Sequence, residues 1–158
     1  MIQAGRSVPA FRLPDTDGTP VDLVDLDGAA LLVFLPAAFT PLCSNELAGM
    51  IGLAESVAEH GVRVLGISCD SMFALRTWAE AAGVAGGSAP TLLSDFWPHG
   101  EVARRYGALD EERGTATRTS YLVDAGRVVR WSTRSPAGVA RDLGTHRAAV
   151  ERLLAETS

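Results

Sequence analysis

Apolar residues change their spacing several times along the chain, and each change predicts an element. Between Phe11 and Leu26, Pro14, an Asp17-Gly18 pair and alternating Val21 and Leu23 predict a short edge hairpin closed by an Asp-Gly turn. From Leu31 to Leu35 the chain is unbroken apolar sequence bounded by Gly28 and Pro36, which suits a strand buried on both faces of a mixed or parallel sheet. Beyond Pro36 the period turns helical. Leu42, Leu47, Met50, Ile51, Leu53, Ala54, Val57 and Ala58 recur at that spacing and stop at His60-Gly61, a basic last turn followed by a glycine.

The alternation then repeats: a second buried strand from Val62 to Ser68, a helix from Met72 to Ala82 ending at Gly83, and a loose Gly, Ala and Ser stretch from Gly83 to Pro90 that reads as a surface loop. A short strand from Thr91 to Leu93 and a short helix from Gly100 to Tyr106 follow. A hairpin with arms Thr117 to Val123 and Arg127 to Ser132 turns at Asp124-Ala125-Gly126, and a last helix runs from Arg141 to Ala155. Strands alternating with helices make this an α/β chain whose pattern allows a three-layer sandwich of the thioredoxin-like sort. The 158 residues, 47% of them hydrophobic, imply one domain spanning 1–158 and exclude disorder.

Composition narrows the chemistry. All 14 cationic side chains are Arg and none is Lys, which excludes Schiff-base catalysis and leaves guanidinium as the only fixed positive charge for a site. With a net charge of −5 and no basic run, nucleic acid and anionic membranes are poor partners, so a small partner is expected. The amino terminus lacks a basic-then-apolar signal pattern. The longest apolar stretch, Ala29 to Phe39, falls short of the roughly 18 residues a membrane span needs. Two cysteines, Cys43 and Cys69, are too few for a disulfide scaffold or, with three His, for a structural zinc site, and a reducing, cytoplasmic setting is expected.

Ligands of α/β sheets gather beyond the carboxyl ends of parallel strands, and the segment leaving that end here is Pro36-Ala37-Ala38-Phe39-Thr40-Pro41-Leu42-Cys43. Cys43 falls in the first helical turn, where unpaired N–H groups favour a thiolate. Thr40, three residues earlier, can turn its hydroxyl to the sulfur or to a substrate oxygen beside it, and Pro36 can shield the sulfur. The plainer alternative is a buried hydrophobe at Cys43 and an N-cap at Thr40.

Pro36, Thr40 and Cys43 stand in the P-x-x-x-T-x-x-C pattern, and on it the chain resembles the peroxiredoxins, the thiol peroxidases, from the Asp15-Thr16-Asp17-Gly18 turn to the last helix. Cys43-Ser44-Asn45-Glu46-Leu47, the segment from Leu92 to Gly100 and Tyr106-Gly107 resemble the one-Cys alkyl hydroperoxide reductase E branch of actinobacteria. The resemblance implies a peroxiredoxin fold, reduction of hydrogen peroxide, organic hydroperoxides or peroxynitrite with no metal, haem or flavin cofactor, Cys43 as peroxidatic cysteine, Thr40 as its hydroxyl partner, Pro36 as its shield and Arg118 as the guanidinium of the site. As one of fourteen arginines Arg118 by itself reads as a solvated strand residue, but its neighbours Thr119, Tyr121, Leu122 and Val123 are β formers, and within a sheet an unpaired charge is costly and a Cys43 thiolate would balance it. Supply of thiolate is not enough for a fast peroxidase: lowering any thiol pKa from about 8.5 to about 6 raises the thiolate fraction at pH 7 only about 30-fold, about 2 kcal/mol. Donors aimed at the departing oxygen must supply the rest. Glu46, one turn after Cys43, either orients an arginine, Arg118 first, or is an ordinary first-turn acid.

A Cys43 sulfenic acid needs a second thiol. Position 48, where some relatives carry it, is Ala48, and nothing after Cys69 is cysteine. Cys69 ends the second buried strand at the same sheet edge as Cys43; it reads as a structural thiol, with an atypical two-Cys role as the alternative. The branch therefore implies an external reductant: a low-molecular-weight thiol such as mycothiol, or a mycoredoxin or thioredoxin-like protein. The family also implies a homodimer or higher homo-oligomer. His99 reads as a turn residue, His60 and His146 as helix residues, Phe96 and Trp97 as entrance or dimer residues, and Trp78 as packing. Rival readings are a peroxide-sensing redox switch and a disulfide oxidoreductase, the latter weakened by the missing C-x-x-C pair.

Overall fold

The computed structural model describes residues 1–84 and 90–157, and most of the loop expected over 83–90 lies outside them. The first hairpin is β1 (Arg12–Pro14) with β2 (Pro20–Asp22), antiparallel. Its turn closes because the Asp15 carboxylate accepts the N–H groups of Asp17 and Thr19, and Gly18 takes φ +80°. The hairpin forms its own two-stranded sheet rather than an edge of the main one. Its second arm runs into a 3-10 turn, Leu23–Asp25, which buries Leu23 completely.

The central sheet holds β3 (Ala30–Phe34), β4 (Arg63–Ser68) and β5 (Thr91–Ser94), parallel, then β8 (Arg118–Val123) and β9 (Val129–Ser135), antiparallel, in the order β5-β4-β3-β8-β9. Every β3 residue is fully buried, as its unbroken apolar run requires. The other elements are α1 (Pro41–Ala58), α2 (Met72–Ala82), α3 (Glu101–Arg105), α4 (Leu143–Thr157) and a small pair, β6 (Leu109–Asp110) with β7 (Thr115–Ala116), that has no periodic signal.

Strand alternation sorts side chains into two cores. Leu31, Val33, Val64, Leu92 and Leu122 pack against α1, α2 and α4, whereas Leu32, Phe34, Leu65, Ile67 and Tyr121 pack against α3 and the amino-terminal segment. This is the three-layer, thioredoxin-like sandwich anticipated above. Several boundaries shift by one to three residues, two of them at arginines. The turn before β9 keeps Arg127, at φ +64°, out of the strand. Arg141, expected to open the last helix, precedes it: Asp142 accepts the Gly144 N–H at 2.9 Å, a capping bond that starts α4 after Arg141.

Candidate active site

The chain leaves β3 at Leu35 and crosses the end of the sheet before entering α1. Asp70, just beyond β4, fixes this crossing by accepting the Ala38 N–H at 2.9 Å. Phe39 then takes φ +67°, a region costing a residue with a Cβ about 1–2 kcal/mol. The turn delivers Thr40 to the N-cap position and Pro41 to the first turn, where its missing N–H costs nothing. Cys43 lies in that first turn, fully buried. One residue on, Ser44 receives the Trp78 indole N–H at 3.1 Å, so α2 braces α1 beside the cysteine.

From β8, Arg118 reaches the same place. Its Nη2 donates to Cys43 Sγ at 3.4 Å, and its Nη1 donates to Glu46 Oε1. Glu46 is 3% exposed and faces a second guanidinium: Arg141 Nε stands 2.5 Å from Glu46 Oε2, an ion pair in which the N–H is not directed along the contact. Arg141 is anchored further by donating to Ser120 Oγ and to the Phe34 carbonyl. Burial pushes the Arg141 pKa down to about 10, with Glu46 opposing that fall, so it stays charged at neutral pH. Two buried guanidinium groups against one carboxylate leave one positive charge uncompensated. An anion at Cys43 would neutralise it.

Thr40 is exposed. Its hydroxyl donates to the Ala37 carbonyl at 2.9 Å; it bonds neither the sulfur, as the spacing suggested, nor the helix N–H groups, as a side-chain cap would. Pro36 is half-buried and, with Arg118, borders a cavity of about 390 Å³ that Arg113, Arg134 and Pro136 also line. Glu46 and Arg118 meet as the first of the two sequence readings proposed. Sequence reasoning does not find Arg141 or Ser120: Arg141 reads as the opener of the last helix, and Ser120 gives no local signal.

Cys69 lies on the other side of the sheet. It follows β4 in the alternation that sends Leu65 and Ile67 toward α3, and a Cβ at Gly100 would stand 3.4 Å from its sulfur. Cys43 belongs to the opposite core. Burial, then the charges of Asp95 and Asp70, push the Cys69 thiol up to about 11. Trp97 and Phe96 are exposed, Trp78 is buried, and His99 Nε2 pairs with the Gly114 carbonyl. Among the described residues no group of three or more His, Cys, Asp or Glu could hold a metal ion, and no helix is long and apolar enough to cross a membrane.

Known proteins share this layout. A family model described as AhpC/TSA family matches residues 4–132. Alkyl hydroperoxide reductase E of Mycobacterium tuberculosis is 34% identical over 144 residues, covering 90% of this chain and 92% of that protein. The crystal structure of peroxidoxin BcpB from M. tuberculosis superposes with a TM-score of 0.84 at 31% identity, over 97% of this chain and 99% of that one. AhpC of Enterococcus faecalis gives 0.87 at 26% identity, over 99% and 96%. Likeness of this extent in both sequence and structure places the chain in the AhpC/TSA family, among the peroxiredoxins.

Proposed function

We propose that the protein is a thiol-dependent peroxidase in which the Cys43 thiolate attacks the terminal oxygen of a hydroperoxide. An S–O bond forms and the O–O bond breaks. The departing oxygen takes a proton and leaves as water or an alcohol, and Cys43 remains as a sulfenic acid. The observation that carries this reading is the buried cluster with one positive charge in excess, whose Arg118 Nη2 lies 3.4 Å from Cys43 Sγ.

In this reading Arg118 serves twice. It balances the thiolate before reaction and faces the developing oxygen charge during it, so its contribution grows toward the transition state. Thr40 contributes by swinging its hydroxyl from the Ala37 carbonyl toward the peroxide, and Pro36 covers the approach on the cavity side. An external thiol, either a low-molecular-weight one such as mycothiol or that of a mycoredoxin or thioredoxin-like protein, attacks the sulfenic sulfur. Water leaves, a mixed disulfide forms, and a second thiol restores Cys43. Opposite-face placement of Cys69 supports this over internal resolution. We place the enzyme in the cytoplasm, where two free thiols stay reduced. Exposed Phe39, Phe96 and Trp97 offer apolar surface for a second copy of the chain.

The deciding experiment is intact-mass analysis after one equivalent of hydrogen peroxide, with and without added thiol. Gain of one oxygen at Cys43, conversion to a mixed disulfide, and repeated turnover are expected. An internal Cys43 to Cys69 disulfide overturns external resolution, and a single oxidation without recycling favours a redox switch.

A further inference from the structure

The buried polar network continues behind Arg141 and ends on a histidine that the reaction above does not use. Arg141 Nη1 donates to Ser120 Oγ at 3.0 Å, and Ser120 Oγ lies 2.7 Å from His146 Nε2. Ser120 and His146 are fully buried. On the other side of the ring, His146 Nδ1 lies 3.0 Å from the Asp142 carbonyl. The Thr145 hydroxyl, 3.4 Å from Nδ1, is committed as a donor to that same carbonyl. A carbonyl only accepts, so Nδ1 carries the proton, and the neutral ring presents a lone pair at Nε2. Ser120 must then donate its one proton to Nε2, which leaves its oxygen to accept from Arg141. Donation therefore runs from the Arg141 guanidinium through the Ser120 hydroxyl to the ring nitrogen.

We propose that neutral His146 is a positioning residue for the Cys43 reaction: through Ser120 it holds Arg141 against Glu46, and Glu46 in turn holds Arg118 at the sulfur. This rests on Cys43 being the reacting thiol. Protonating His146 would convert Nε2 to a donor, deprive the Ser120 hydroxyl of its acceptor and set a second cation beside Arg141. The charged and polar groups around the ring are few. From its own segment it faces Arg141 and Asp142, and from β8 it faces Ser120. From β9, Trp131 meets it edge-on with centroids 4.9 Å apart, and from α1 the network's charged group is Glu46, beyond Arg141. Burial, assisted by the Arg141 charge, holds the ring below the ordinary histidine range, while Asp142 acts the other way. The relay is therefore intact at neutral pH and is lost as pH falls through that lowered value.

The test measures the second-order rate of Cys43 oxidation by hydrogen peroxide against pH in the full chain. His146→Phe and Ser120→Ala each remove the buried acceptor or its bridge and are expected to slow oxidation about tenfold at pH 7, and the double variant no further. His146→Gln keeps an acceptor that does not titrate; it is expected to recover to within about threefold of the parent and to lose the parent's acid inflection. Nitrogen NMR of the parent ring should show the neutral Nδ1–H tautomer at pH 7. A parental rate in His146→Phe, a His146→Gln rate as low as that of His146→Phe, additive losses, or the opposite tautomer each overturn the role. If His146→Phe does not fold, Ser120→Ala alone and combined with His146→Gln carries the same comparison. Cys43→Ser run in parallel separates the two readings. If it still consumes peroxide, the Cys43 assignment fails. If it is inert while His146→Phe is parental, only the His146 role fails.

Discussion

The two cysteines are the same residue type near the same end of the same sheet, yet their surroundings differ in sign. Cys43 meets the helix face, with Arg118 on its sulfur and Arg141 behind Glu46, a cluster one positive charge in excess. Cys69 meets the α3 face, where burial and the Asp95 and Asp70 carboxylates hold it protonated, its pKa pushed up to about 11. Asp95 is itself committed to α3, accepting the N–H groups of Val102 and Ala103. Both thiols are buried, so exposure does not distinguish them; the charge around each one does.

Substitution of the thiols should break this pair most sharply. Cys43→Ser is expected to abolish peroxide consumption, whereas Cys69→Ser leaves it largely intact with an external thiol present, measured as peroxide loss over time. A dead Cys69→Ser variant would erase the distinction. Next in size, Arg118→Ala should cost about a hundred- to ten-thousandfold in the oxidation rate, because it removes both the thiolate's counter-charge and a donor to the departing oxygen. Near-normal rates would move the guanidinium role to Arg141.

A gentler test sharpens the contrast without altering the protein. Alkylation followed by peptide mass analysis at pH 7 should label Cys43 and spare Cys69. With its pKa raised to about 11, Cys69 is only about one part in ten thousand thiolate at that pH. Its labelling should climb as pH approaches that value or when the chain is unfolded. Equal labelling at neutral pH would contradict the charge argument.

Much of this was legible in the linear pattern. The unbroken run in β3, the helical spacing of α1 and the Pro36, Thr40 and Cys43 spacing placed a thiol in a first helical turn at the strand end, and the structure has it there. Glu46 one turn later pointed to an arginine partner, and Arg118 takes that place. Other features were not legible. The Thr40 hydroxyl chose the Ala37 carbonyl, one of several partners within local reach. Arg141 looked like a helix opener, because the capping role of Asp142 that excludes it from α4 shows only in the folded turn.

The sequence by itself determined the order of strands and helices and the chemistry available to a site: one thiol in the family motif, a second without a pattern, and guanidinium as the sole cation. These follow from short-range sterics and from the period with which apolar residues meet a sheet or helix face, both of which operate within a few residues. Only the tertiary structure decided that Arg141 joins Arg118 around Glu46 and which face of the sheet each cysteine occupies. Arg118 and Cys43 are 75 residues apart, and their meeting depends on β8 pairing with β3 in one register. A slip of one residue would turn Arg118 and Ser120 to the opposite core, leaving Cys43 without its counter-charge.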